Sequence, residues 1–305
     1  MSEPAPPHAL LRPNIAIPFA LTALIWGSTW YAIKDQLAAA PVEWSVTWRF
    51  VLASAGMFGL AGLRGTGWRT PAGGHLFALC VGATQFFVNY NLVYQAELYL
   101  TSGIVAVLYA LMIPANAVLA SLFLGERITR RFVFASAIGL AGTALLLVHE
   151  ARLAEFHGLV WLGLAFTAVG IVAASAANVI QALPAARGQP TVVLLAWAML
   201  YGAVLDAGWA LVTAGPPVLP IDARYLGAVA YLGIIGSVVT FPLYFQLIRE
   251  LGAGRAAYLN AVVPVIAMLL STLLEGYRWN WIAGVGAVLA LVGMVLALRA
   301  RRPSR

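Results

Sequence analysis

The chain reads as an all-α integral membrane protein, with ten transmembrane helices arranged as two inverted five-helix repeats around a central cavity. Three observations predict this. First, 62% of its 305 residues are apolar and only 10% are charged, where a soluble domain carries roughly 25% charged residues. Mean hydropathy is +0.88. A globule has only its interior to fill with apolar surface, so the surroundings of this chain must be lipid. Second, apolar runs long enough to cross a bilayer, about 20 residues each, recur along the whole chain. Third, a mid-helix proline and its neighbours recur 150 residues further on.

The runs fall, in order, at residues 14–33, 42–63, 73–94, 100–124, 131–149, 157–181, 191–213, 225–248, 256–274 and 279–299. The first follows a single Arg and looks at first like a secretory leader. Its apolar stretch from Ile15 to Ile33 is longer than a signal core, so it is read as a retained span. No alternating pattern of the β-barrel kind is present. The loops are short and leave no room for a soluble domain.

Orientation follows from where the basic residues lie, because cytoplasmic loops carry the excess. With the N-terminus inside, the inner loops and tails hold Arg12, Arg64, Arg69, Arg127, Arg130, Arg131, Arg187, Arg249, Arg255, Arg299, Arg301, Arg302 and Arg305. The outer loops hold only Lys34, Arg152, Arg224 and Arg278, and Arg49 lies inside a span. Thirteen against four places both termini in the cytoplasm, which needs an even number of spans. A bacterial cytoplasmic (inner) membrane is the expected location.

Sliding the chain by 150 residues sets "LYALMIPANAVLASLFLGE" on "YLNAVVPVIAMLLSTLLEG". Pro114 meets Pro264, Ala117 meets Ala267, Leu119 meets Leu269, Ser121 meets Ser271 and Leu124 meets Leu274. The terminal Gly125-Glu126 pair meets Glu275-Gly276 with a slip of one residue. Each half then holds five spans, residues 14–149 and 157–299. Five is odd, so the halves sit upside down relative to each other, as in secondary transporters built from inverted repeats.

Helix four with "P…LFLGERI", helix one with "ALIWGSTW", helix two with Arg49-Phe50 and helix nine with "AVVPVIAMLLSTLLEG" resemble the drug/metabolite transporter superfamily, in its ten-helix EamA branch. Within that branch the chain is most similar to YddG-type exporters of aromatic and other amino acids. The resemblance implies an exporter of small molecules, not an enzyme. The second "GE" is reversed to Glu275-Gly276, which weakens a role for that glutamate.

Several chemistries are excluded. Lys34 is the sole lysine and follows Ile33, so no Gly-Lys-Ser/Thr phosphate loop exists. There is no HExxH or GxSxG. Cys80 stands alone, and His8, His75, His149 and His157 are scattered, so neither a disulfide framework nor a metal cluster is expected. No cofactor or nucleic-acid partner is indicated. The expected partners are a small-molecule substrate and the lipid bilayer, and a monomer would suffice.

Amides and hydroxyls at membrane depth are costly unless they face a cavity or a partner helix. Helix three carries Gln85 and Asn89 on one face, beside a stripe of Phe86 and Tyr90. Helix one carries Trp26 and Trp30, helix four Tyr109 and Asn116, helix six Ser175 and Asn178, helix eight Ser237, Thr240 and Tyr244, and helix nine Tyr258 and Asn260. Two readings stand: bonds across helix contacts, or the wall of a substrate cavity. As a substrate site the set comprises Trp26, Gln85, Phe86, Asn89, Tyr90, Tyr109, Asn178, Ser237, Thr240, Tyr244 and Asn260. Helices five and ten show small residues instead and are assigned to the scaffold. Trp161, Trp279 and Trp281 suit the interfacial belt.

Arg49 and Asp206 are the charges inside spans. They are functional candidates by default, or else structural or snorkelling charges. Glu126 is either an ordinary interfacial charge or a gate contact. Pro114 and Pro264 are expected to free the carbonyls of Ala110 and Asn260 and to bend their helices, either at the cavity or as packing kinks. A cavity of rings, amides and hydroxyls suits a zwitterion or neutral amphiphile; the same wall would also accept a hydrophobic cation or drug. Proton antiport and uniport both remain open.

Overall fold

In a computed structural model, residues 12–125, 127–153, 159–183, 190–251 and 259–300 are described. Among them the chain is helical throughout, with no strand. Ten helical segments follow one another: α1 (Pro13–Leu37), α2 (Val42–Leu63), α3 (Ala72–Glu97), α4 (Ser102–Leu124), α5 (Arg130–Leu153), α6 (Val160–Ala182), α7 (Thr191–Thr213), α8 (223–251), α9 (Leu259–Leu274) and α10 (Trp281–Ala300). Seven of these are long and apolar enough to cross a membrane, and α9 and α10 supply shorter apolar stretches.

Prolines and short polar side chains set the helix starts. Pro13 stands in the first turn of α1, and Pro41, Pro71 and Pro190 directly precede α2, α3 and α7, where a missing N–H costs nothing. Asp222 caps α8 by accepting from the Tyr225 N–H at 2.9 Å, and Asn280 caps α10 by accepting from that of Ala283 at 2.9 Å. The left-handed Gly125 and Gly276 follow the ends of α4 and α9, where a Cβ would be strained.

Three helices are irregular inside. α3 has a π-helical stretch at Gly82–Asn89, and α8 has one at Tyr231–Val239. In α8 the Ser237 hydroxyl donates to the carbonyl of Leu232, and that of Thr240 to Ile235. Both reach five residues back, as the wider π turn requires. α4 is broken at Ala110–Leu111 into Ser102–Tyr109 and Met112–Leu124. The cause is Pro114, which cannot donate to Ala110. The carbonyl of Ala110 is nevertheless not free: the Ile113 N–H donates to it at 3.2 Å, tightening the turn.

The helices pair in a definite order. α2 packs along α7 and α5 along α10; α1 lies against α8 and α9, while α6 lies against α3 and α4. α3 also contacts α7, and α8 contacts α2. Glycines let backbones meet: a Cβ at Gly142 would collide with the Gly286–Ala290 backbone of α10, and one at Gly293 with the Gly139 backbone of α5. The small residues of α5 and α10 thus mark a close helix contact. Large apolar side chains such as Leu76, Phe123, Phe134, Trp161 and Trp281 project from the outer faces, each more than 60% exposed. A surface of this kind needs lipid.

Candidate functional site

Trp26 and Trp30 share one face of α1, four residues apart. The Trp26 indole N–H donates to the Gly236 carbonyl of α8 at 3.3 Å, and its ring lies 5.0 Å from Tyr244 and 5.7 Å from Phe241. Phe241 carries the contact to Phe86 at 6.1 Å, and Phe86 meets Phe50 at 5.0 Å and Tyr90 at 6.4 Å. A continuous run of rings therefore crosses from α1 and α8 to α3 and α2. On the α4 side, the Tyr109 ring lies 5.3 Å from Trp30, and its hydroxyl donates to Asn89 Oδ1 at 2.7 Å. Gly170 of α6 leaves the space that the Tyr109 hydroxyl occupies. Ring pairs of these geometries contribute about 0.5–1.5 kcal/mol each beyond their area.

Of the residues expected at a substrate site, the structure joins Trp26, Phe86, Asn89, Tyr90, Tyr109 and Tyr244 into this aromatic and amide cluster. Gln85 is half-buried on the π stretch of α3. Asn178 lies at an exposed position of α6, where its amide donates to Asn116 Oδ1 at 3.3 Å. Ser237 and Thr240 spend their hydroxyls inside α8, as described above. Glu126 and the side chain of Asn260 lie outside the described residues. Pro114 borders a crevice between α4, α5 and α10. Pro264 borders an apolar cavity of about 280 Å³ between α4, α9 and α10, where Thr272 and Trp279 are the polar elements.

The two intramembrane charges are both buried, at 2% exposure for Arg49 and 0% for Asp206. They do not pair with each other: among the described residues the one ion pair within 4 Å joins Arg224 to Asp35. Each instead takes a partner from the last turns of α3. Arg49 Nη1 donates to the Tyr94 hydroxyl at 3.3 Å, and its guanidinium sits 4.5 Å from the centre of the Tyr90 ring. Asp206 Oδ1 accepts from the Asn91 amide at 2.5 Å.

A second polar group lies at the end of the bundle where α1 ends and α4 begins. Lys34 Nζ donates to the carbonyls of Glu97 and Leu100 at 2.7 and 3.1 Å, so α1 holds the turn between α3 and α4. Glu275, just after α9, accepts from the Ser102 hydroxyl at 2.5 Å, the Ser102 N–H at 3.2 Å and the Ser271 hydroxyl at 2.7 Å. It thereby ties α9 to the start of α4.

A profile described as the EamA-like transporter family matches residues 14–148 and again 159–299. The chain belongs to that family. As an EamA-family chain it is also similar to Protein PagO of Salmonella typhimurium, 26% identical over 94% of both chains. The uncharacterized inner membrane transporter YedA of Escherichia coli K12 is 30% identical, over 93% of this chain and 91% of its own. A probable terminal-alkyne amino-acid exporter of Streptantibioticus cattleyicolor is 26% identical over 92% and 91%. One crystal structure superposes with a TM-score of 0.68 at 22% identity, covering 94% of this chain and 98% of the other, which speaks to the fold.

Sequence reasoning did not single out Phe241, Gln36, Glu97 or the clasp at Glu275. Phe241 lies four residues after Ser237 and three before Tyr244, on their side of α8 by ordinary helical spacing; what the sequence does not show is its contact with Phe86 of α3. Gln36 and Glu97 lie at helix ends, where polar residues are ordinary by sequence. Their burial is a tertiary property.

Proposed function

We propose that this EamA-family transporter is a secondary-active or facilitative exporter of amino acids, aromatic and other neutral ones, in the bacterial cytoplasmic membrane. It works by alternating access between two inverted five-helix repeats, residues 14–149 and 157–299, with all ten helices crossing. The observation that carries this reading is the cluster of rings and amides drawn from both halves: Trp26, Phe86, Asn89, Tyr90 and Tyr109 from the first, Phe241 and Tyr244 from the second. Rings accept an aromatic side chain or an ammonium on their faces.

The helix pairing supports the repeat. Replace each helix of one half by its counterpart in the other and the same contacts return. α1 on α8 and α9 becomes α6 on α3 and α4, α3 on α7 becomes α8 on α2, and α2–α7 and α5–α10 map onto themselves. The π stretches at Gly82–Asn89 and Tyr231–Val239 fall at matching places. Rocking one half on the other would then expose the cluster to each side in turn. The Glu275–Ser102 and Lys34 contacts are those that must part for the end away from the termini to open. The resemblance to a relative named as an amino-acid exporter points to the same cargo class.

Purified protein in liposomes, assayed by counterflow with labelled amino acids and with cationic drugs, tests this. Aromatic and neutral amino acids are expected to exchange and to compete with one another. Exchange of drugs alone, or of nothing in either panel, would overturn the reading.

A further inference from the structure

At the end of the aromatic cluster nearest Lys34 lies a set of buried polar atoms with no hydrogen-bond partner among the described residues. Two are donors, Arg49 Nε on α2 and Gln36 Nε2 on α1. Two are acceptors, Oε1 and Oε2 of Glu97 on α3. The three side chains are 2%, 0% and 1% exposed. Arg49 and Gln36 belong to one hydrogen-bonded group: Arg49 Nη1 donates to the Tyr94 hydroxyl, and that hydroxyl donates to Gln36 Oε1 at 2.6 Å. Glu97 lies one helical turn beyond Tyr94 and within electrostatic reach of Arg49, yet the two are not in contact at 4 Å. The other charges acting on Glu97 are Lys34 from α1 and Glu275 from beyond α9. Tyr109 from α4 is the further titratable neighbour.

A guanidinium inside a span and a carboxylate at the end of α3, both buried and each with polar atoms short of partners, are an expensive arrangement. If they served only each other, a direct pair would satisfy both. They are not paired with each other, and the spare N–H groups of Arg49 and Gln36 together with the spare oxygens of Glu97 are what a guest carrying both charges itself would satisfy. The ring faces of Tyr90 and Phe50 beside Arg49 continue into the aromatic cluster, so a ring attached to that guest has a place to lie.

We infer that Arg49 and Gln36 together with Glu97 form a clamp for the two charged ends of a zwitterionic α-amino acid. Arg49 Nε and Gln36 Nε2 receive the carboxylate, and the Glu97 carboxylate receives the ammonium. Tyr94 positions Arg49 while the clamp is empty. The inference rests on the exporter reading and deepens it, because a buried guanidinium at the site selects for cargo bearing a carboxylate and against simple cations.

The test uses the full chain in liposomes, with counterflow of labelled phenylalanine competed by unlabelled phenylalanine, by phenethylamine, which lacks the carboxylate, and by 3-phenylpropionate, which lacks the ammonium. In the unaltered protein only phenylalanine should compete well. Arg49→Gln should raise the half-saturating phenylalanine concentration by about tenfold or more and narrow the gap to phenethylamine. Glu97→Gln should instead narrow the gap to 3-phenylpropionate. Arg49→Lys and Glu97→Asp keep the charges and should keep the discrimination, which guards against loss of fold. Equal competition by phenethylamine in the unaltered protein, or variants that move both analogues alike, would overturn the clamp. Ligand-induced thermal stabilisation in detergent separates the two readings. Stabilisation by phenylalanine but by neither analogue, without any counterflow, would sink the exporter reading and keep the clamp. Stabilisation by the amine as strongly as by the zwitterion would sink the clamp.

Discussion

Glu275 shows how much one carboxylate can decide at the residue scale. It sits in the slipped Glu275-Gly276 pair, which by sequence weakens its case against the Gly125-Glu126 order of the first half. The slip has a structural consequence: it puts the left-handed glycine after the carboxylate, and the carboxylate then points back to the N-terminal N–H of α4 and the Ser102 hydroxyl. Hydrogen bonds to a charged acceptor contribute about 1.5–3 kcal/mol each when water is kept away. Glu275 is only half-buried, so a few kcal/mol for the whole clasp is the sensible scale. Glu275→Ala is therefore expected to shift the balance toward an open end by about tenfold or more. The measurement is the labelling rate of a single cysteine at Thr101, in a Cys80→Ser background, with a membrane-impermeant maleimide. An unchanged labelling rate would show that the clasp does not hold that end shut. The other legible residues were those whose face could be counted, Trp26 with Trp30 and Phe86 with Tyr90. Arg49 was legible as a charge in a span; its missing counter-charge was not, because that depends on where α1 and α3 end in space.

At the scale of elements, α5 and α10 are the clearest case of composition dictating packing. Their glycines and alanines promise close approach, and the backbones do meet there. Gly293 is pressed against Gly139, whereas Gly284, on the same helix, has nothing within 4 Å of where its Cβ would be. The two positions form an internal control. Gly293→Val is expected to cost about 2 kcal/mol or more, since added volume in a filled contact forces backbone shifts. Gly284→Ala should be neutral or gain up to about 1 kcal/mol from helix propensity. Thermal unfolding of the detergent-solubilised variants checks both. Equal melting points would mean that the glycine contact carries no stability. What composition could not reveal is the interior of α3 and α8. Nothing in "GATQFFVN" or "YLGIIGSVV" marks a π turn, whose extra residue per turn reorders the faces that an ordinary helical count assigns. That is why Ser237 and Thr240 turn out to serve their own helix. The break in α4 was legible through Pro114, but its position was not: it falls at Ala110–Leu111, upstream of the proline, because the ring disturbs the preceding turn.

The whole molecule tests a topological argument that the basic residues alone supply. If all ten helices cross, five per half, the halves are antiparallel and the chain returns to its starting side. Internal contacts agree on which turns lie together: Thr129 donates to the carbonyl of Ala300 at 3.4 Å, whereas Lys34 meets Glu97 and Leu100 at the other end. The turn at residues 127–129 and the end of α10 at Ala300 therefore share one end, and the turns at 38–41 and 98–101 share the opposite one. Arg127, Arg130 and Arg131 flank the first of these turns and Arg299 stands in the last turn of α10, and positive charge is retained on the cytoplasmic side. A green fluorescent protein fused after Arg305 should thus fluoresce, and alkaline phosphatase fused within residues 214–222 should be active, because the one folds in the cytoplasm and the other in the periplasm. A phosphatase fused within residues 65–70 should be inactive. Reversal of all three signals would invert the protein in the membrane, and with it the side on which Glu275 and Lys34 close the bundle. Activity at both 65–70 and 214–222 would instead show that an even number of helices crosses between α2 and α8. The equivalence of the two five-helix halves would then fail, whatever the helix pairing suggests.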